Sequence, residues 1–377
     1  MYYPLDCPHR EKNGWTGDAN VSAEYMLYSF YADKSFRQWL HSIRNTMRND
    51  GNMPSIVPDS DWGYKRNDGP AWDTVIIELP YTLYSLTQDI TYLSENAEKM
   101  FKYITYISNH LDGGLVTYGL SDWCQPPFLA WENKTPKRVS SSMLAYRALC
   151  HATEIFEKLK LEKEYVYTKA LAAEIKEAIR ENLIDFESYE VEGGQQCCQA
   201  LGIWCDIFEE DEREKAFEVL LKKIRDNNNL LDVGILGVKS MFDILSEFGY
   251  TDLAYDMITA DTYPSYAYML KQGATSLWEN FNTDEELLGE NGKRPTSLNH
   301  HMFGSVSAWF VKYLGGIRFN FDGSVDISPV FTTKIDAVNA SARGISVSWK
   351  REDGKVVFDV DYDKELYQGR EVRVNNQ

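Results

Sequence analysis

Positive charge is what this sequence has too little of: 57 Asp and Glu stand against 39 Lys and Arg, a net charge of −18 over 377 residues. Nucleic-acid phosphates and anionic membrane surfaces are held by basic patches, so the deficit argues against both as partners. Neutral ligands stay open. Long apolar runs are missing too, and none approaches the roughly 20 residues needed to span a bilayer. The opening MYYPLDCPHR lacks the apolar stretch of a signal peptide, which leaves the compartment, cytoplasmic or periplasmic and secreted, undecided. The six cysteines (Cys7, Cys124, Cys150, Cys197, Cys198 and Cys205) have neither CxxC nor zinc-finger spacing. They are too few for a disulfide scaffold and read as small apolar residues of a reduced core. No metal or cofactor motif is present; the acidic stretch Asp284 to Glu290 lacks EF-hand spacing. Nor is there a repeat of fixed period, which excludes a regular solenoid.

What is present is aromatic and helical. Aromatic residues make up 14% of the chain, with 10 Trp and 24 Tyr, enough for a large core and for flat faces on which sugars stack. Up to about residue 315 the apolar residues recur at helical spacing, as in Leu93, Ala97, Met100, Phe101, Ile104, Ile107 and Leu111. The pattern predicts eleven helices: 19–32, 34–49, 71–87, 91–111, 138–160, 163–185, 194–208, 210–226, 234–247, 251–261 and 299–315. Sequential helical hairpins of this number suggest a mainly α (α/α)6 barrel over residues 1–315. Such a barrel has twelve helices, so the expectation is one that lacks its first. After Gly316 the period becomes two. Residues 345–349 and 356–360 flank Asp353-Gly354, a hairpin signal, and 371–374 reads as a further strand. Residues 316–377 are therefore expected to form a small antiparallel, sandwich-like β domain that caps the barrel.

The long loops carry the chemistry. Stretches 1–18, 50–70, 112–137 and 262–298 are rich in Gly, Pro, Asp and Trp, and loops that long in a compact domain are usually functional. The first contains Asp6-Cys7-Pro8-His9-Arg10-Glu11-Lys12-Asn13-Gly14-Trp15-Thr16-Gly17-Asp18, which packs three carboxylates, an Arg and a Trp into thirteen residues. Glycoside hydrolysis needs one carboxyl to protonate the leaving oxygen and another to activate water. The second is Gly273-Ala274-Thr275-Ser276-Leu277-Trp278-Glu279-Asn280, a carboxylate beside a Trp in an otherwise uncharged run. A Glu there is either paired and buried or catalytic.

The first stretch resembles the signature loop of the glycoside hydrolase family 78 α-L-rhamnosidases, and the second resembles that family's GATSxWE segment. Gly69-Pro70-Ala71-Trp72-Asp73, Ser121-Asp122-Trp123 and Ser297-Leu298-Asn299-His300 with Phe303-Gly304 follow the family order as well. The resemblance implies Glu11 as general acid and Glu279 as general base of an inverting hydrolase that removes terminal rhamnose from a carbohydrate substrate, with no cofactor or metal. It implies that Asp6, Arg10 and Asp18 hold sugar hydroxyls. Trp15, Trp72, Trp123 and Trp278 would wall in the deoxysugar's methyl group. His300 matches a sugar-binding histidine, and Asp73 and Asp122 sit beside matched Trp residues; His301, like His41, His110 and His151, reads as scaffold. Three departures stand out: Arg10 and Glu11 are adjacent where many members insert an acidic residue, His9, Lys12 and Asn13 stand where Gln, Arg and Leu are common, and the family's upstream β domains are absent from this sequence. Rival readings are a carbohydrate-binding remnant without catalysis, and another hydrolase or a polysaccharide lyase on the same barrel. The inverting geometry demands roughly 6.5–9.5 Å between the two carboxyls, which lie 268 positions apart in sequence.

Overall fold

The structure, a computed structural model, describes residues 3–65, 67–126, 134–281 and 297–375. Its helices follow the hydrophobic periodicity closely. They are α1 (Thr16–Ser29), α2 (Asp33–Thr46), α3 (Pro70–Asp73), α4 (Val75–Thr87), α5 (Thr91–Ser94), α6 (Ala97–Asn109), α7 (Lys137–Lys158), α8 (Glu162–Leu183), α9 (Gln196–Trp204), α10 (Arg213–Asp226), α11 (Ile235–Glu247), α12 (Thr251–Thr259), α13 (Tyr266–Lys271) and α14 (Ser305–Trp309). Where a predicted helix is broken, a polar side chain takes over the backbone bonding. Between α5 and α6, Asn96 donates to the Tyr92 carbonyl at 2.7 Å and accepts from Arg44, also at 2.7 Å. Between α3 and α4, the Thr74 hydroxyl bonds back to the Pro70 carbonyl at 2.7 Å. The predicted helix 299–315 begins later, because the His300 amide is spent on the Leu277 carbonyl. It resolves into a 3-10 turn (Met302–Gly304), α14, and a π turn (Phe310–Leu314).

Amphipathic faces set the arrangement. α1, α4, α7, α9, α11 and α14 form an inner ring in which each packs on the next and α14 packs back on α1. The outer helices α2, α6, α8, α10 and α12 lie against the ring, each turning a stripe inward. In α2 the stripe is Phe36, Trp39, Leu40 and Ile43; in α6 it is Met100, Tyr103, Ile104 and Ile107. Burying each such side chain stabilises by about 1.5–3 kcal/mol, so the ring is fixed by its outer layer.

The ring's axis is polar. A cavity of about 250 Å³ there is lined by Glu24, Glu78, Arg147, His151, Lys239, Asp243 and Lys312, among others. The polar groups pair: Lys239 and Lys312 on Glu24, Lys312 on Asp243 at 2.6 Å, and His151 Nδ1 with Glu78 at 2.9 Å. Burial alone would raise the Glu24 carboxyl, but the two ammonium groups hold it down at about 2.

The C-terminal strands close the end of the ring to which α1 and α4 lead. β3 (Ile317–Phe319) pairs antiparallel with β4 (Val325–Ile327), and β8 (Val372–Val374) adds to β4 in parallel. β5 (Ala337–Ala342), β6 (Ile345–Glu352) and β7 (Lys355–Tyr362) form an antiparallel meander. Its β6–β7 turn is the predicted Asp353-Gly354, both with positive φ (49° and 76°), the twist that a two-residue hairpin needs. β1 (Ile184–Asp185) and β2 (Glu190–Val191) are a small hairpin after α8. Docking is polar as well as apolar. Arg370 donates to the Ser85 and Leu86 carbonyls that end α4, Arg343 forks onto Asp33, and Trp349 donates to the Leu314 carbonyl at 2.8 Å. No helix among the described residues is long and apolar enough to cross a membrane.

Candidate active site

The loop before α1 is folded on itself. The Asp6 amide donates to the Asn13 carbonyl at 2.9 Å, and the Asn13 amide returns a 2.8 Å bond to Asp6 Oδ1. Residues 14–16 then pair with 55–57 through Val57 N–H to Gly14 O and Thr16 N–H to Ser55 O, both 2.8 Å. That pairing sets Trp15 edge-on to Trp62, ring centroids 5.0 Å apart. The Trp15 indole N–H donates to Glu11 Oε2 at 3.0 Å and so fixes the free end of the predicted acid.

The predicted base is mounted between two adjacent segments. Glu279 N–H donates to Ser297 O and His300 N–H to Leu277 O, both 2.8 Å, and the Ser276 hydroxyl reaches the Leu298 carbonyl at 2.8 Å. The Ser297 amide also donates to Glu279 Oε2. Arg10 joins the two halves: Nη1 lies 2.8 Å from Glu279 Oε2 and Nη2 lies 3.7 Å from Glu11 Oε1. The nitrogens of one guanidinium are about 2.3 Å apart, so the nearest oxygens of the two carboxylates lie within about 9 Å of each other.

Asp6 and Asp18 complete an acidic cluster around this pair. Burial pushes the Glu279 carboxyl above its ordinary range; the Ser297 amide and Arg10 oppose that, while Glu11 and Asp6 add to it. Asp18 is pushed well up, first by burial and then by the charges of Asp6 and Glu279. Its Oδ1 lies 3.2 Å from His300 Nε2. His300 is held well below its usual range by burial; its Nδ1 accepts from the Met302 amide at 3.4 Å, so the proton sits on Nε2 and points at Asp18. His301 is also buried and lowered to about 4, its Nδ1 2.8 Å from the Ser22 hydroxyl.

The remaining predicted residues divide. Trp72 is buried with its indole directly on Gly17, where a Cβ would stand 2.3 Å from the ring. Trp15 and Trp278 are also nearly closed off, at 9% and 5% exposure, whereas Trp123 is half-buried. Asp122 is committed elsewhere than to a sugar: its oxygens accept from the amides of Gly234 (2.7 Å), Leu236 (2.8 Å) and Gly237 (3.3 Å). It thereby caps α11, although burial pushes its carboxyl up to about 6. Asp73 is turned away from the acidic cluster. Its charge is felt by Tyr103, Tyr106 and Tyr118, and burial beside Asp68 pushes it well above the usual carboxylate range. Two contributors escaped sequence reasoning. Trp62 lies in a loop marked as informative, but its partnership with Trp15 has no local signature. Ser297 was visible in a motif, yet its backbone contact with Glu279 is not encoded by spacing. Among the described residues no group of three or more His, Cys, Asp or Glu is placed to hold a metal ion. The stretch 284–290 lies outside the described residues.

Comparison with known proteins bears on this assembly. Residues 1–314 match the family described as bacterial alpha-L-rhamnosidase 6 hairpin glycosidase domain. The chain belongs to that family. Among curated alpha-L-rhamnosidases, one from Alteromonas sp. (strain LOR) is 30% identical over 367 residues, covering 92% of this chain and 39% of the relative. One from Formosa agariphila is 27% identical over 376 residues, covering 95% and 39%. The chain thus spans about two fifths of the length of the rhamnosidases it matches. Among solved structures, the alpha-L-rhamnosidase from Dictyoglumus thermophilum superposes with a TM-score of 0.85 at 28% identity, covering 94% of this chain and 40% of that one. The Streptomyces avermitilis enzyme complexed with L-rhamnose shares the fold, with a TM-score of 0.84 at 24% identity over 95% of this chain and 35% of that one. The helical ring is therefore the six-hairpin glycosidase domain of this rhamnosidase family.

Proposed function

We propose that the chain hydrolyses terminal α-L-rhamnosides with inversion, Glu11 acting as general acid and Glu279 as general base. The observation that carries the reading is Arg10, which brings the two carboxylates, distant in sequence, onto one guanidinium. A separation of at most about 9 Å stays under the upper end of the roughly 6.5–9.5 Å that inversion requires. The two groups are also differently housed. Glu279 is the more enclosed, at 15% side-chain exposure against 34% for Glu11, and burial raises its carboxyl. Asp6, Arg10, Asp18 and His300 supply polar contacts to sugar hydroxyls, and Trp15, Trp72, Trp123 and Trp278 the apolar side, with Trp62 behind Trp15. Residues 1–315 form the catalytic unit and 316–377 the β unit that seals the far end of the ring; the substrate is a rhamnose-containing carbohydrate.

The test is hydrolysis of a 4-nitrophenyl α-L-rhamnoside followed by proton NMR. The expected first product is the β anomer of rhamnose. Glu279→Gln and Glu11→Gln should each abolish turnover of rhamnosides with poor leaving groups. Initial release of the α anomer, or undiminished turnover by Glu279→Gln, would overturn the assignment.

A further inference from the structure

Glu11 is steadied at its carboxylate by Trp15, but a side chain is only as well placed as the backbone that carries it. That backbone hangs from one residue. The Cys7 Sγ accepts the Glu11 amide at 3.4 Å, and the Cys7 carbonyl accepts the next amide, that of Lys12, at 3.2 Å. Lys12 itself has φ of 60°, a left-handed conformation uncommon outside glycine, so the turn just after the acid needs outside support. The same thiol donates to Asp6 Oδ2 at 3.1 Å, while Asp6 Oδ1 is taken by the Asn13 amide. Cys7 is 1% exposed, and burial pushes its thiol up; it stays protonated and keeps its donor.

We propose that Cys7 is a positioning residue for the reaction: its thiol couples Asp6 to the backbone of Glu11 and holds the acid's loop in register with the acidic cluster. The inference rests on the catalytic reading above. Sulfur suits the task because it is larger than oxygen and carried on a longer bond, so one atom spans a carboxylate on one side and an amide on the other. It is a weak donor and a weak acceptor. A hydroxyl at the same Cβ reaches less far and should serve only in part.

Cys7→Ala and Cys7→Ser would be compared with the unaltered chain on two aryl α-L-rhamnosides, one with a dinitrophenolate and one with a methoxyphenolate leaving group. Proton donation matters only for the second. Cys7→Ala should lose about tenfold in kcat on the methoxyphenyl substrate and less than about threefold on the dinitrophenyl one, with KM nearly unmoved. Cys7→Ser should recover part of the loss. Equal losses on both substrates, or none on either, would overturn the proposal and leave the thiol as packing. A second readout needs no turnover. The Asp6 carboxyl, followed by carbon NMR, should titrate about half a pH unit higher in Cys7→Ala, because a hydrogen bond to its ionised form is gone. An unmoved Asp6 titration refutes the coupling even if the unaltered chain releases no rhamnose, a result that would count separately against the proposed function.

Discussion

Replacing Arg10 by Met should move the acidic limb of the rate profile upward. The guanidinium sits 2.8 Å from Glu279, and the two side chains are 31% and 15% exposed. At an effective dielectric of about 20, two unit charges about 4 Å apart attract by about 4 kcal/mol. Arg10 is close to one-third open to water, and pairs so exposed are measured at no more than about 1 kcal/mol. We take the lower figure, which corresponds to about 0.7 pH unit. The direction follows from what acts on Glu279: burial raises its carboxyl, and Arg10 is one of the influences that lower it. Without Arg10 the carboxyl rises further, the base is protonated at higher pH, and kcat/KM falls off earlier on acidification. The assay is kcat/KM against pH on 4-nitrophenyl α-L-rhamnoside for both proteins, at low and at about 1 M salt. Salt should draw the unaltered protein toward the variant, because it screens a partly exposed pair. A limb that stays in place, or moves down, would refute the idea that Arg10 sets the charge of the base.

Other outcomes are equally accessible. Lys312→Met takes the ammonium from the buried Asp243 carboxylate and leaves Glu24 with Lys239 alone, which should cost about 3 kcal/mol or more in a denaturant melt. With Glu24 held at about 2 against an ordinary 4.5, its contribution is complete above pH 4.5 and lost as pH falls toward 2. The variant should therefore show a flatter acid dependence of stability over that window. Gly17→Ala drives a methyl into the Trp72 indole, 2.3 Å from the ring, and should cost about 1–3 kcal/mol by thermal melt together with most of the activity. Asp122→Ala removes the acceptor of three amides at the start of α11 and should lower stability by about 1–2 kcal/mol; an unchanged melt would mean that water replaces the cap.

Periodicity carried most of the architecture, since the core-facing residues of long helices leave little choice of element or face. It failed where bonding is local or distant. The stripe through Leu93 and Leu111 keeps its phase across the break at Asn96, so hydrophobic spacing cannot see that α5 and α6 are separate. α13 has only six residues and falls within the 262–298 loop that composition predicts, although Ser265, whose hydroxyl accepts the Tyr268 amide at 2.9 Å, is a capping residue. In the site, motif order identified Glu11, Glu279, Asp18 and His300 as a set. It matched Asp18 to a sugar-holding group and Asp122 only to a place beside a Trp, and it carried no sign that Asp122 caps a helix. What separates them is which amides point at each, and that depends on the packing of α11.

The ring closes by contact between α14 and α1, and the proposed acid and base stand on the two segments that meet at this seam. Neither half of the chemistry can be assembled while the circle is open. A chain in which the segment bearing Glu279 has not yet docked on the one bearing Glu11 would remain inert until the last hairpin closes the seam. Catalysis, in such a design, reports on completion: partly folded or clipped chains would be silent rather than indiscriminate, and loss of activity would precede any gross loss of helix when the seam parts.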